Sequence, residues 1–168
     1  MRLKTKSIKL IIWFLIAIIL DLTVMHKIRI FNAKPMLTYS LIVSTMISED
    51  RFSVAMIIAF VVSLVCASLL MQNFAFEVIF IMIAAVAIFS LGRKIRYIPG
   101  FIVSGVFSAV FAVVHILLSN LISSGIASLY GIGNILIANT IYTFIVAMGV
   151  HLLFCKDVYG MENNKFRF

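Results

Sequence analysis

The sequence has 168 residues, of which 64% are hydrophobic and only 12% are charged. Soluble domains carry about 45–50% apolar and about 25% charged residues, and small domains leave much of their surface in water. This composition excludes a soluble enzyme, a disulfide-rich secreted domain and a disordered chain, and it predicts a single membrane domain over residues 1–168. The two cysteines, Cys66 and Cys155, lie in apolar runs and match neither a disulfide framework nor a metal site.

Six apolar runs predict an all-α integral membrane protein with about six transmembrane helices. The predicted spans are residues 8–25, 36–48, 52–71, 74–91, 98–122 and 132–154. Basic residues precede the first run and no small-residue cleavage site follows it, which favours an uncleaved helix over a signal peptide. The second run is the weakest, because a helix of its length covers only about 20 Å of a hydrocarbon core about 30 Å thick. It is either half-buried in protein or extended at its ends, with Arg51 snorkelling.

The basic residues predict the orientation of the chain in the membrane. The net charge is +8, with 14 Lys and Arg residues against 6 Asp and Glu. Lys and Arg concentrate in cytoplasmic segments, and most of the cations fall on the inner side when both termini are cytoplasmic. The exceptions are Lys27, Arg29 and Lys34 in the first external loop. We therefore expect a multi-pass protein with both termini in the cytoplasm.

Four ionisable residues within the predicted spans are candidates for function, because charges inside a membrane are costly. Asp21 is either a buried functional contact or a group in water at the outer interface. Glu77 begins the fourth span, where Asn73 would cap the helix and the acid would meet the positive end of the dipole. His115 and His151 are either members of a proton relay or hydrogen-bonded packing residues.

Small and polar residues recur along one face of two spans. The third span carries Ala55, Ala59, Ser63 and Ala67, and the fifth carries Ser104, Ser108, Ala112, His115 and Ser119. Such stripes let helices approach closely in lipid, either within the chain or with a partner helix. Asn139, near Tyr142 and Thr143 in the sixth span, should face protein, because an amide in lipid lacks hydrogen-bond partners.

The sequence contains no motif that is typical of catalysis, of nucleotide binding or of metal binding. We therefore predict a protein that is not an enzyme, with no catalytic residue, no cofactor and no metal. The small-residue stripes favour instead a protein that works by binding other membrane helices.

Three local patterns support a family resemblance. Residues 34–37 read Lys-Pro-Met-Leu before the second helix, small residues recur at Ala59, Ser63 and Ala67 in the third, and a basic stretch at 93–96 follows the fourth. In these features and in its layout, the chain resembles the rod shape-determining protein MreD family. In that family the second helix begins with a sequence like Pro-Asp-Leu-Leu. The third helix has glycines and an aspartate where this chain has Ala59, Ser63 and Ala67.

The resemblance implies a non-enzymatic scaffold of the cell-elongation machinery, which directs peptidoglycan synthesis in the bacterial inner membrane. It implies binding to a bitopic MreC-like partner and to other membrane proteins of that complex. It also implies a fold similar to that of the substrate-binding S-components of energy-coupling-factor vitamin transporters, which supplies the alternative function. S-components carry an Ala-x-x-x-Ala patch in the first helix, where this sequence has Ala17 alone, and the polar loop 123–131 is a candidate for ligand contacts.

Overall fold

The computed structural model of the chain describes residues 2–23, 36–70, 73–92, 94–95, 98–124 and 133–160. These residues form six α-helices and, within the described ranges, no strand. The helices are α1 (Arg2–Thr23), α2 (Leu37–Ser48), α3 (Phe52–Leu70), α4 (Phe74–Gly92), α5 (Gly100–Ser124) and α6 (Gly133–Tyr159). The all-helical fold class predicted from the sequence is confirmed.

Four of the helices, α3, α4, α5 and α6, are long and apolar enough to cross a membrane. Their outward faces expose large aliphatic side chains, with Ile57 63%, Ile83 66% and Ile145 61% exposed. Apolar faces of this extent need lipid or another membrane protein as their neighbour. The chain is therefore an integral membrane protein, and the prediction of six spans is supported for four of them.

The first and last helices extend beyond the predicted spans at the same end of the bundle. Helix α1 begins at Arg2 and α6 continues to Tyr159. The extensions contact each other, since Lys9 Nζ lies 2.7 Å from Asp157 Oδ1 and Trp13 Nε1 donates to Asp157 Oδ2 at 2.9 Å. Charged residues interrupt an apolar run without ending a helix, so the helices are longer than the apolar runs that predicted the spans. We call this the basic end of the bundle.

Helix α2 lies at the centre and packs against all five other helices. Every residue from Leu37 to Met46 is buried. The helix has 12 residues and is therefore about 18 Å long, well short of the hydrocarbon thickness of about 30 Å. Of the two alternatives for the second run, the structure has the one in which protein surrounds the helix.

Both small-residue stripes face the interior of the chain. Ala55, Ala59, Ser63 and Ala67 are each at most 1% exposed, and α3 packs on α4 and α2. On α5, Ser104, Ser108 and Ala112 are buried to the same degree, His115 is 8% exposed and Ser119 is half-buried. Close approach of helices in lipid favours small residues at the contact. Within this chain, both stripes therefore serve internal packing.

Helices α5 and α6 approach each other closely at Gly105. A Cβ added at Gly105 would lie 2.9 Å from Cγ of Met148 and 3.0 Å from the Phe144 ring. A side chain at this position would require Met148 or Phe144 to move, so the glycine allows these side chains to pack directly on α5. Because α5 and α6 run antiparallel, this contact also aligns them, with Ser108 level with Thr143 and Ala112 level with Asn139.

Candidate functional site

Three helices meet at a buried polar cluster formed by Tyr39, Glu77 and His115. Nε2 of His115 lies 2.7 Å from Oε1 of Glu77, and the Tyr39 hydroxyl donates to Oε2 of Glu77 at 2.8 Å. The Tyr39 hydroxyl also lies 3.3 Å from His115 Nε2. Glu77 is 2% exposed and His115 is 8% exposed. We call these three residues the Glu77 cluster; it ties α2, α4 and α5 together.

Aromatic rings surround the Glu77 cluster. Phe111 packs edge-on against Tyr39 with 5.0 Å between ring centroids, and Phe80 stacks on Phe111 at 4.8 Å. Phe80 also lies 5.2 Å from the His115 ring, and Phe76 lies 6.0 Å from it. Apolar surroundings strengthen hydrogen bonds between polar groups and raise the cost of an unpaired charge. The acid and the imidazole therefore depend on each other for their burial.

The expectations from the sequence concern Glu77 and His115 separately and do not include their pairing. Glu77 does lie in the first turn of α4, but its side chain points inward, on the face that also buries Ile81, Ala85 and Ile88. The sequence does contain a pattern that indicates this pairing. Glu77 follows the four-residue spacing of the buried face of α4, and His115 follows the polar stripe of α5. Two ionisable residues on the inward faces of neighbouring spans point to a contact.

Asp21 binds the start of another helix. Its carboxylate accepts hydrogen bonds from the backbone N–H groups of Leu37 and Thr38 at 3.1 and 2.8 Å, and from the Thr38 hydroxyl at 2.7 Å. Met36, at the N-cap of α2, provides no side-chain hydrogen bond. The first N–H groups of a helix need acceptors, and an acid there meets the positive end of the dipole. Asp21 of α1 is therefore the cap of α2.

The basic end holds two further acid–base contacts. Lys6 Nζ lies 2.7 Å from Oε2 of Glu49 and 4.2 Å from the centroid of the Tyr159 ring. The Tyr159 hydroxyl donates to the same Glu49 oxygen at 3.4 Å. Together with the contact between Lys9 and Asp157, these interactions hold the start of α1 against the ends of α2 and α6.

His151 lies near the basic end, away from the Glu77 cluster. Its Nε2 is 3.6 Å from the sulfur of Cys155, whose Sγ lies 3.0 Å from the Ser48 hydroxyl. Each of these groups is buried or half-buried. The two histidines therefore have different surroundings: His115 contacts an acid, Glu77, whereas His151 contacts Cys155.

Four buried polar atoms have no hydrogen-bond partner among the described residues. They are Ser108 Oγ, His115 Nδ1, Asn139 Oδ1 and Thr143 Oγ1. Asn139 is 4% exposed and Thr143 0%, whereas Tyr142 is half-buried. Ser108 and His115 lie on α5, and Asn139 and Thr143 lie on α6. Buried polar atoms are almost always paired, so four unpartnered atoms on two neighbouring helices are unusual.

The described residues contain no group of three or more His, Cys, Asp or Glu side chains that could hold a metal ion. Several residues that the sequence analysis used lie outside the described ranges: Lys27, Arg29, Lys34, Arg93, Arg96 and most of the polar loop 123–131. Comparisons with protein-family models, with curated proteins and with solved structures found no match to this chain.

Proposed function

We propose that the protein is a non-enzymatic scaffold of the bacterial cell-elongation machinery and that it binds the membrane helix of a bitopic MreC-like partner. In this proposal the chain lies in the inner membrane with both termini, and hence the basic end, on the cytoplasmic side. The observation that carries the proposal is the surface of α1. The link to cell elongation depends on the resemblance in layout and in local sequence described above.

Helix α1 has an exposed aliphatic face along most of its length. It contacts α2 and α6 through an inward stripe that includes Leu10, Phe14 and Ala17. The opposite stripe points outward at intervals of four, three, four and three residues and is between 44% and 57% exposed. It consists of Ile8, Ile12, Leu15, Ile19 and Leu22. This heptad spacing is the one with which two helices pack side chains into each other along their length, in lipid as in water.

The burial of the small-residue stripes also bears on the partner's location. The sequence left open whether Ala59 and Ser63 of α3 pack internally or bind a partner. Both are 0% exposed within the chain. A partner helix cannot reach them unless α3 moves away from α4. The outward stripe of α1 is therefore the better candidate for partner contact.

Site-specific photocrosslinking in bacterial cells tests this proposal. A photoreactive phenylalanine derivative at Leu15 places the probe on the outward stripe of α1, and the same substitution at Ile83 on α4 is the matched control. Both positions are exposed aliphatic residues. We expect Leu15 to crosslink to a single-span protein with a coiled coil, and Ile83 not to do so. Equal crosslinking at both positions, or none at Leu15, would contradict the proposed contact.

A second candidate function is the substrate-binding component of a vitamin transporter. The observation that favours it is the Glu77 cluster, because buried ionisable groups in membrane proteins commonly mark substrate or ion sites. Against it, Ala17 is the single alanine in this part of α1 and is 3% exposed, so α1 presents no alanine patch for a coupling subunit. Purification in mild detergent separates the two functions: recovery of two ATPases with a coupling subunit would support the transporter.

A further inference from the structure

The cations at the basic end of the bundle differ in their partners. Lys6 and Lys9 each pair with an acid at 2.7 Å. Arg51, Lys94 and Lys156 are exposed, and none of these three side chains forms an ion pair with an acid in the described part of the chain. An exposed cation without an acid beside it is available to an anion from outside the chain.

Arg51 and Lys94 lie at the ends of two neighbouring spans. Helices α3 and α4 follow each other in the chain and pack antiparallel, so the start of α3 and the end of α4 share one end of the bundle. Phe52 at the start of α3 and Phe89 in the last turn of α4 have ring centroids 5.1 Å apart. Arg51 immediately precedes the first ring, and Lys94 follows the second. Glu49, just before Arg51, contacts α1, so this end is the basic end.

Further contacts fix the end of α4. The backbone N–H of Lys94 donates to the Leu91 carbonyl at 3.0 Å, so the chain turns directly after the helix and keeps Lys94 beside its last turn. A Cβ added at Gly92 would lie 3.4 Å from Cγ1 of Ile47, which shows that α4 also packs on the last turn of α2. The segments that carry Arg51 and Lys94 are therefore held next to each other.

Large apolar side chains beside both cations are exposed. Phe52, next to Arg51, is 48% exposed, and Leu91 and Ile95, next to Lys94, are 48% and 38% exposed. Helices α3 and α4 are both long and apolar enough to cross a membrane. The two cations therefore lie where apolar spans end and the headgroup region of the bilayer begins. A molecule with an anionic group and apolar chains fits this combination of side chains.

Two acids precede Arg51 in the chain, and each has other contacts. Glu49 binds Lys6 at 2.7 Å, and the charge of Asp50 acts on Tyr159 of α6. Together with Lys94, Arg51 brings two positive charges to the ends of α3 and α4, against the one negative charge of Asp50. This part of the surface therefore attracts anions.

We propose that Arg51 and Lys94 bind the phosphate of one anionic phospholipid, whose acyl chains lie against Phe52 and Leu91. We call these four residues the headgroup site. An arginine guanidinium binds two phosphate oxygens at once, and a lysine adds a point charge. Basic pockets between neighbouring membrane helices bind anionic headgroups in this way. The site uses no residue of α1, so it goes beyond the proposed scaffold function and does not depend on it.

Helix α6 provides a matched comparison for the headgroup site. Leu153 is 62% exposed and Lys156 is exposed, with the same three-residue spacing as Leu91 and Lys94. The residue that follows Lys156 is an acid, Asp157, instead of a second cation. A general attraction between a basic protein and anionic lipid would involve both lysines equally. A built site for one headgroup depends on Lys94 and not on Lys156.

Native mass spectrometry of the full chain in detergent tests the proposal. The protein is titrated with phosphatidylglycerol or with phosphatidylcholine that has the same acyl chains, and the fraction that carries one lipid is measured. We expect tighter binding of phosphatidylglycerol. Arg51→Gln and Lys94→Gln should each weaken this binding about fivefold, toward that of phosphatidylcholine. An excess of inorganic phosphate should not displace the lipid, because phosphate alone makes no contact with Phe52 and Leu91.

Lys156→Gln removes the same charge from α6 and is the control. It should leave the affinity for phosphatidylglycerol unchanged. All three substituted side chains are exposed, so the variants should fold as the wild type does. Equal weakening by Lys94→Gln and Lys156→Gln would show attraction by net charge alone and would overturn the proposal. So would equal affinity of the wild type for the two lipids, or displacement of the lipid by inorganic phosphate.

Discussion

The two ends of the bundle use the same chemistry in opposite surroundings. At the basic end, Lys9 and Asp157 pair at 2.7 Å with side chains that are 40% and 46% exposed. Near the other end, Glu77 and His115 pair at the same distance with side chains that are 2% and 10% exposed. An exposed ion pair contributes little to stability, because water and salt screen its charges. In a buried pair, removing one member leaves the other member without a partner, which is costly. The contributions of these two contacts to stability therefore differ because of their burial and not because of their distances.

The largest effect is expected at Glu77. Glu77→Ala leaves His115 and the Tyr39 hydroxyl without their acceptor in an aromatic environment, and removing one member of a buried pair costs about 3–5 kcal/mol. We expect a corresponding loss of stability in detergent, measured by the midpoint of unfolding. Glu77→Gln is the control, since its amide can still accept from Tyr39 and contact His115. If the alanine variant is as stable as the glutamine variant, the cluster does not hold the helices together.

A smaller effect is expected at Asp21, which caps α2 from α1. Loss of a helix cap costs about 0.5–2 kcal/mol, so Asp21→Ala should lower stability by an amount in this range. Asp21→Asn keeps an acceptor for the N–H groups of Leu37 and Thr38 and should cost less. The same unfolding measurement compares the two variants. A larger loss for asparagine than for alanine would contradict the capping role.

Lys6 and Glu49 lie between the two extremes of burial, since their side chains are 32% and 8% exposed. Lys6→Met keeps much of the packing of the side chain against Tyr159 but removes the charge. Because Glu49 is nearly buried, we expect a measurable loss of stability that is smaller than the loss for Glu77→Ala. Lys6→Arg, which keeps the charge, is the control. A loss equal to that of Glu77→Ala would break the proposed ranking by burial.

The smallest effect is expected at Lys9 and Asp157. Both are exposed, so Asp157→Asn should change stability little, and any difference from wild type should disappear at high salt because the charges are screened. Unfolding midpoints at low and high sodium chloride concentration check this. A large effect that persists in salt would show that the pair is shielded from water, as it would be beneath a further membrane protein.

The apolar runs of the sequence were sufficient to predict an all-helical membrane protein, because a chain so poor in charge has few other ways to satisfy its backbone in lipid. The apolar runs do not show that α1 and α6 continue beyond them, because the residues that stabilise these extensions are charged and interrupt the apolar pattern. The sequence makes Asp21 a candidate, but the role of this residue depends on the start of α2, which only the tertiary arrangement brings near it. Hydropathy likewise reports that Glu77 is unusual and cannot report that His115 faces it.

A double-mutant cycle between Glu77 and His115 tests the central claim most directly, which is that these two residues form one buried unit. The free energies of unfolding of Glu77→Ala, His115→Ala and the double variant are compared with that of the wild type. Groups in direct contact show coupling energies of about 0.5–3 kcal/mol, and we expect a value in the upper part of this range. The same cycle for Lys9 and Asp157 should give a much smaller coupling. If the two substitutions at Glu77 and His115 are additive, the residues do not act as a pair and the account is wrong.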